Sequence, residues 1–74
     1  MDIEIRTPSK LIFQGKAESV ILPGEVGVFE VLPFHKRLLA RLVKGSVNVD
    51  GKLFAIRRGV VKVDRETVIV IGEE

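Results

Sequence analysis

Seventy-four residues make one domain, because dividing them would leave neither part enough interior to fold alone. With 0 Cys and a single His, no disulfide or metal cluster staples the chain, so packing or a partner must supply its stability. A hydrophobic share of 46% with 30% charged residues excludes a disordered tail, and a net charge of +2 is a weak reason to expect nucleic acid.

The kind of apolar residue points to strands. Val and Ile dominate, and their stiff branched side chains favour pleated sheets over helices. Asp2-Ile3-Glu4-Ile5-Arg6-Thr7 alternates, which puts Ile3 and Ile5 on one sheet face and the acids on the other until Pro8 ends the pairing. Leu11-Ile12-Phe13-Gln14-Gly15 resumes an extended run. Val20-Ile21-Leu22 makes a third strand ended by the turn dipeptide Pro23-Gly24, with Gly24 and Gly27 bracketing Glu25-Val26 as a loop. Gly27 to Leu32 is then a strand stopped by Pro33.

Phe34 to Val43 is the only stretch with helical periodicity. It is short, lies between Pro33 and Gly45 and lacks a preferred N-cap, so a turn at Pro33 to His35 followed by a short strand is expected. Ser46-Val47-Asn48-Val49 and Lys52-Leu53-Phe54-Ala55-Ile56 flank Asp50-Gly51, a pair suited to the left-handed angles of a type I′ hairpin turn. Gly59 to Asp64 and Thr67 to Ile71 form a second hairpin across Arg65-Glu66. Gly45 to Asp50 and Gly59 to Asp64 share the outline G-x-V-x-V-D, one hairpin plan used twice. The expected fold is all-β: a single domain over residues 1–74, a small two-sheet sandwich or flattened barrel of about eight to ten short strands.

The reactive inventory is thin. His35, three serines, two threonines and scattered carboxylates contain no nucleophile elbow, phosphate-cradling loop or metal-ligand spacing, so no catalytic, cofactor or metal residue is assigned and no enzyme is expected. Gly24-Glu25-Val26-Gly27 reads as turn glycines and not as a dinucleotide fingerprint. His35, after Pro33 in a turn, reads as a structural or contact residue. The rival from composition is a β-barrel module binding RNA or single-stranded DNA. It is poorly equipped: Phe13, Phe29, Phe34 and Phe54 are the whole aromatic set, and only Phe34, beside Lys36 and Arg37, is expected outside the core, as a protein contact.

Leu22-Pro23-Gly24-Glu25-Val26-Gly27-Val28-Phe29-Glu30-Val31-Leu32-Pro33-Phe34-His35, followed by Leu38-Leu39, resembles the V-x-L-P-G-x-x-G-x-F-G-V-L-P-G-H-A-P-L-L hallmark of the epsilon subunit of bacterial and chloroplast ATP synthases. Ile5-Arg6-Thr7-Pro8, Phe13-Gln14-Gly15, Leu42-Val43-Lys44-Gly45 and the stretches Arg58 to Val63 and Val68 to Ile71 extend the likeness over essentially the whole chain. Glu30 and Phe34 stand where the family has glycines, and Lys36-Arg37 where it has Ala-Pro.

The resemblance implies a non-catalytic rotor piece that links the gamma subunit to the c ring in ion-gradient-driven ATP synthesis. It implies no cofactor. Val26, Gly27 and Val28 match positions facing the c ring; Thr7, His35 and Ala40 match positions facing gamma. The helical hairpin that follows this domain in the family, and restrains ATP hydrolysis, is not expected within these residues. The implied location is the cytoplasmic face of the bacterial inner membrane, peripheral and without direct insertion. In keeping with that, no targeting signal opens the chain, and no apolar run approaches the roughly 20 residues of a membrane helix.

Overall fold

The structure, a computed structural model, describes all of residues 1–74. It holds nine strands and no helix: β1 Asp2–Arg6, β2 Leu11–Lys16, β3 Val20–Gly24, β4 Gly27–Val31, β5 Leu38–Leu42, β6 Gly45–Val49, β7 Lys52–Ile56, β8 Arg58–Val63 and β9 Thr67–Glu73. They form two layers, as expected, but the layers belong to one continuous sheet. The order β2-β1-β9-β8-β5 makes one layer and β4-β3-β6-β7 the other. A single residue pair, Gly24↔Leu42 between β3 and β5, joins the layers at a corner.

Alternation builds the core. Ile3 and Ile5 of β1, Val61 and Val63 of β8, and Val68 and Val70 of β9 point inward from the first layer. Val20, Leu22, Val31, Val47, Val49 and Ile56 meet them from the second. Each fully buried branched side chain contributes about 1.5–3 kcal/mol of transfer free energy, and these residues supply the stability that no crosslink provides. The repeated outline is visible here: the valines of Gly45 to Asp50 and of Gly59 to Asp64 are the buried Val47, Val49, Val61 and Val63, one pair from each layer. At the far edges β2 and β7 lean together through the rings of Phe13 and Phe54, whose centroids lie 5.0 Å apart, with Lys52 Nζ 5.6 Å from the Phe13 centroid.

Three local details differ from the pattern reading or resolve it. Pro23-Gly24 is not the turn: β3 runs through both, with Pro23 paired to Val28 and Gly24 to Gly27, and the chain reverses at Glu25-Val26. Pro23 is tolerated in a paired strand because its carbonyl, not its missing N–H, serves the corner, accepting from Val43 N at 2.9 Å. The stretch with helical periodicity is β5, reached after a turn in which His35 N donates to the Leu32 carbonyl at 3.2 Å. Finally, β1 and β9 pair in parallel, a contact between the first and last strands that no local signal announces.

Candidate partner-binding surfaces

The β3–β4 turn is the most exposed apolar feature of the chain. Val26 is fully exposed at 102% and Val28 at 74%, on a tip that projects past the corner. Its shape depends on two glycines. A Cβ on Gly24 would come within 2.6 Å of the Gly27 carbonyl oxygen and 2.8 Å of the Phe29 ring, so only a bare backbone lets β3 and β4 close this tightly. Gly27 has φ of +146, a conformation that L side chains rarely adopt.

Between this tip and β5 runs a cleft lined by Val26, Gly27, Phe29, Leu38, Leu39 and Ala40. Ala40 therefore shares a wall with Val26 and Gly27, although the resemblance assigns them to different partners. Ala40 is half-buried and packs against the core. Thr7 and His35 lie elsewhere and apart from each other. Thr7 follows Arg6, level with Ile71 and Val60, while His35 precedes Leu38, level with Val63 and Val68, so they sit at opposite ends of the first layer.

Both already have local work. The Thr7 hydroxyl accepts from Lys10 N at 3.1 Å and Ser9 N at 3.3 Å, bracing the turn that leads from β1 to β2. His35 Nδ1 stands 2.7 Å from the Lys36 carbonyl oxygen, which requires that nitrogen to be the donor. These bonds are compatible with a partner contact and do not require one.

The four departures from the hallmark separate into two kinds. Glu30 accepts from the Ser19 hydroxyl at 2.6 Å, and Arg37 pairs with Asp64 at 3.1 Å, so both are tied into the surface. Phe34 and Lys36 are not. Phe34 is 66% exposed and has φ of 66, a left-handed backbone in the position where the family carries glycine. Its N–H donates to the Arg65 carbonyl at 2.7 Å, which holds the turn against β8 and β9.

Phe13 and Phe54 close the seam and Phe29 packs on the core, so Phe34 is the only exposed ring. A nucleotide-stacking platform needs several. No three residues of metal-ligating type stand together, and no helix is long and apolar enough to cross a membrane. Sequence reasoning missed Leu39, which it counted only as half of a leucine pair. The signal was present in the alternation of Leu38-Leu39-Ala40-Arg41-Leu42, which sets Leu39 on the face of Arg41, and it is 74% exposed.

The sandwich thus presents Val26 and Val28 to solvent at one tip. The family model for the β-sandwich domain of the ATP synthase delta/epsilon chain matches residues 1–74. The chain belongs to this family. Among curated relatives, the ATP synthase epsilon chain of Campylobacter fetus is 47% identical over 74 residues, covering 93% of this chain and 57% of its own. That of Sulfurimonas denitrificans is 40% identical over 78 residues, covering 99% and 60%. The chain thus spans somewhat under two thirds of the length of these relatives.

Solved structures carry the same fold. A chain of the Euglena gracilis mitochondrial ATP synthase, in a structure of OSCP, F1 and c-ring, superposes with a TM-score of 0.87 at 20% identity, over 97% of this chain and 49% of that one. One from the Tetrahymena thermophila mitochondrial ATP synthase, central stalk and c-ring, gives 0.78 at 16% identity, over 99% and 63%.

Proposed function

We propose that this β-sandwich acts as a non-catalytic piece of the rotor of an F-type ATP synthase, binding the gamma subunit and resting on the c ring so that the three turn together. The observation that carries the reading is the β3–β4 tip: an exposed Val26 and Val28, on a turn shaped by Gly24 and Gly27, within a chain whose family match runs from end to end. Apolar side chains held this far into solvent on a stiff scaffold gain most when a partner covers them.

The mechanics follow from the sandwich. A linker in a rotating shaft must pass load without deforming, and a close-packed two-layer sheet with every buried side-chain polar atom satisfied is stiff. Contacts from Val26, Gly27 and Val28 would face the c ring, and Thr7, His35 and Ala40 would face gamma, with Ala40 beside the c-ring set across the shared cleft. The sandwich itself couples and does not inhibit, because inhibition of the family type uses helices and residues 1–74 form none. The working location is peripheral, against the membrane-embedded ring on the cytoplasmic face of a bacterial inner membrane.

Reconstitution tests this directly. Added to an epsilon-depleted ATP synthase, the chain should co-purify with gamma and the c ring and restore coupling of ATP synthesis to the ion gradient without suppressing hydrolysis. Val26→Asp with Val28→Asp should lower retention on the c ring at unchanged stability. Absence of any association with gamma or the ring would overturn the reading.

A further inference from the structure

We infer that the open edge of β5 at Leu39 is a docking site for an extended, alternately apolar and acidic segment of a partner protein, which joins the sheet as an added strand. This goes beyond the rotor reading and holds whichever protein supplies the segment. The argument starts from hydrogen-bond direction. In a strand, the N–H and C=O of one residue point to the same side, and residues two apart share that side. Arg41 offers its carbonyl to Glu25 N at 3.1 Å, and Val43 N donates to the Pro23 carbonyl at 2.9 Å, so this parity of β5 faces β3 and away from β8. Leu39 has the same parity. Pairing between β3 and β5 stops at Gly24↔Leu42, however, and the chain turns away at Glu25-Val26. Leu39 is left with its N–H and C=O directed at an unfilled sheet position.

Natural sheets guard such edges. β2 and β7 lean together through Phe13 and Phe54 with Lys52 above, and β4 carries Glu30 outward. The β5 edge has the opposite dress. Leu39 is 74% exposed and sits beside a mainly apolar cleft of about 550 Å³ between β5 and the β3–β4 tip, lined by Phe29, Leu38 and Ala40 together with Glu25 and Arg41. Its immediate neighbours on the outer face are cations: Arg41 two residues on, Lys62 directly across on β8, and Arg37 two residues back. Arg37 is paired with Asp64, but Arg41 and Lys62 take part in none of the molecule's ion pairs.

These features specify an occupant. An added strand would meet the Leu39 backbone, send alternate apolar side chains into the cleft, and present the intervening ones to Arg41 and Lys62, where carboxylates fit. Backbone bonds and the apolar face give affinity, and the cations select acidic over basic sequences.

The probe is a short blocked peptide of alternating Glu and Val, titrated into the whole chain and followed by amide exchange and NMR. In the free chain the Leu39 amide should exchange rapidly, and at saturating peptide it should slow by about tenfold or more, alone among the edge strands. Leu39→Pro removes only the N–H that faces the open edge and leaves the β8 ladder intact, so it should preserve the spectrum elsewhere and abolish binding. Leu39→Ala, which keeps that N–H, should bind several-fold more weakly than the parent. Arg41→Glu should reverse the preference toward a Lys-Val peptide. Should Leu39→Pro not fold, the same peptide N-methylated along its bonding edge should fail to bind the parent chain. A Leu39 amide already protected in the free chain, binding unaffected by Leu39→Pro or by N-methylation, protection confined to β2, β4 or β7, or an oligothymidylate displacing the peptide would each overturn the assignment.

Discussion

Two residues other than glycine share the left-handed backbone, Asp50 with φ of 49 and Phe34 with φ of 66, and they hold it for opposite reasons. Asp50 opens the I′ turn of the β6–β7 hairpin, and aspartate tolerates this region through local hydrogen bonding. Here it does more: its carboxylate accepts Ser19 N at 2.9 Å and Glu18 N at 3.1 Å, and its own N–H reaches the Ser19 carbonyl at 3.1 Å. The strain is repaid inside the domain, where the hairpin tip is latched to the corner between β2 and β3. Phe34 has no such return. Its N–H reaches the Arg65 carbonyl at 2.7 Å, but its ring is exposed and stacks on nothing, so the side chain offsets none of the cost of its backbone. One left-handed residue latches the fold together; the other holds an exposed ring.

Substitutions separate the two. Asp50→Ala should have the largest effect, costing about 1.5–3 kcal/mol, because it removes charge-assisted bonds to two backbone donors. Each kcal/mol lowers the melting temperature of a domain this size by about 4–8 °C, so thermal or urea unfolding resolves the loss, and a cost below about 0.5 kcal/mol would show that water replaces the latch. Phe34→Gly should move the other way, with a stability gain of up to about 1.5 kcal/mol: relief of roughly 1–2 kcal/mol of left-handed strain, less about 0.5–1 for the added freedom of the unfolded chain. The same variant should bind gamma and the ring more weakly in the reconstituted complex. Unchanged binding would break the comparison, since Phe34 would then be strained without use. Ser19→Ala is the smallest test; its hydroxyl serves Glu30 at the exposed surface, and its loss should cost at most about 0.5 kcal/mol in the same unfolding measurement.

The strands were legible because one face of each is buried. Ile3 and Ile5, and Val47 and Val49, alternate with polar neighbours and are buried; Val61 and Val63 are buried on either side of Lys62, while Val60 next to Val61 is exposed. Asp50-Gly51 was legible because turn angles constrain residue type. Pro23-Gly24 misled because a proline with its carbonyl employed and a glycine in close approach can both lie within a strand, and composition does not tell that case from a turn. The surfaces were harder. Val26, Gly27 and Val28 could be named only through the family motif, since an exposed valine looks like any other until the fold shows how far it projects. Leu39 depended on which backbone groups remain unpaired, a property of the β3–β5 corner and therefore of residues far apart in sequence.

The parallel pair of β1 and β9 has a bearing on how the domain comes into being. Asp2 is partnered by Thr67 and Arg6 by Ile71, so the central strand of the larger layer comes after the other eight in chain order. Until β9 arrives, β1 and β8 have no strand between them, and Ile3, Ile5, Val61 and Val63 have no complete core to enter. Closing a loop of about 65 residues before those contacts reward it is entropically slow, which places this sandwich among topologies that fold late and as a unit. On the ribosome the nascent sheet would wait, edges open, for its closing strand to emerge from the exit tunnel.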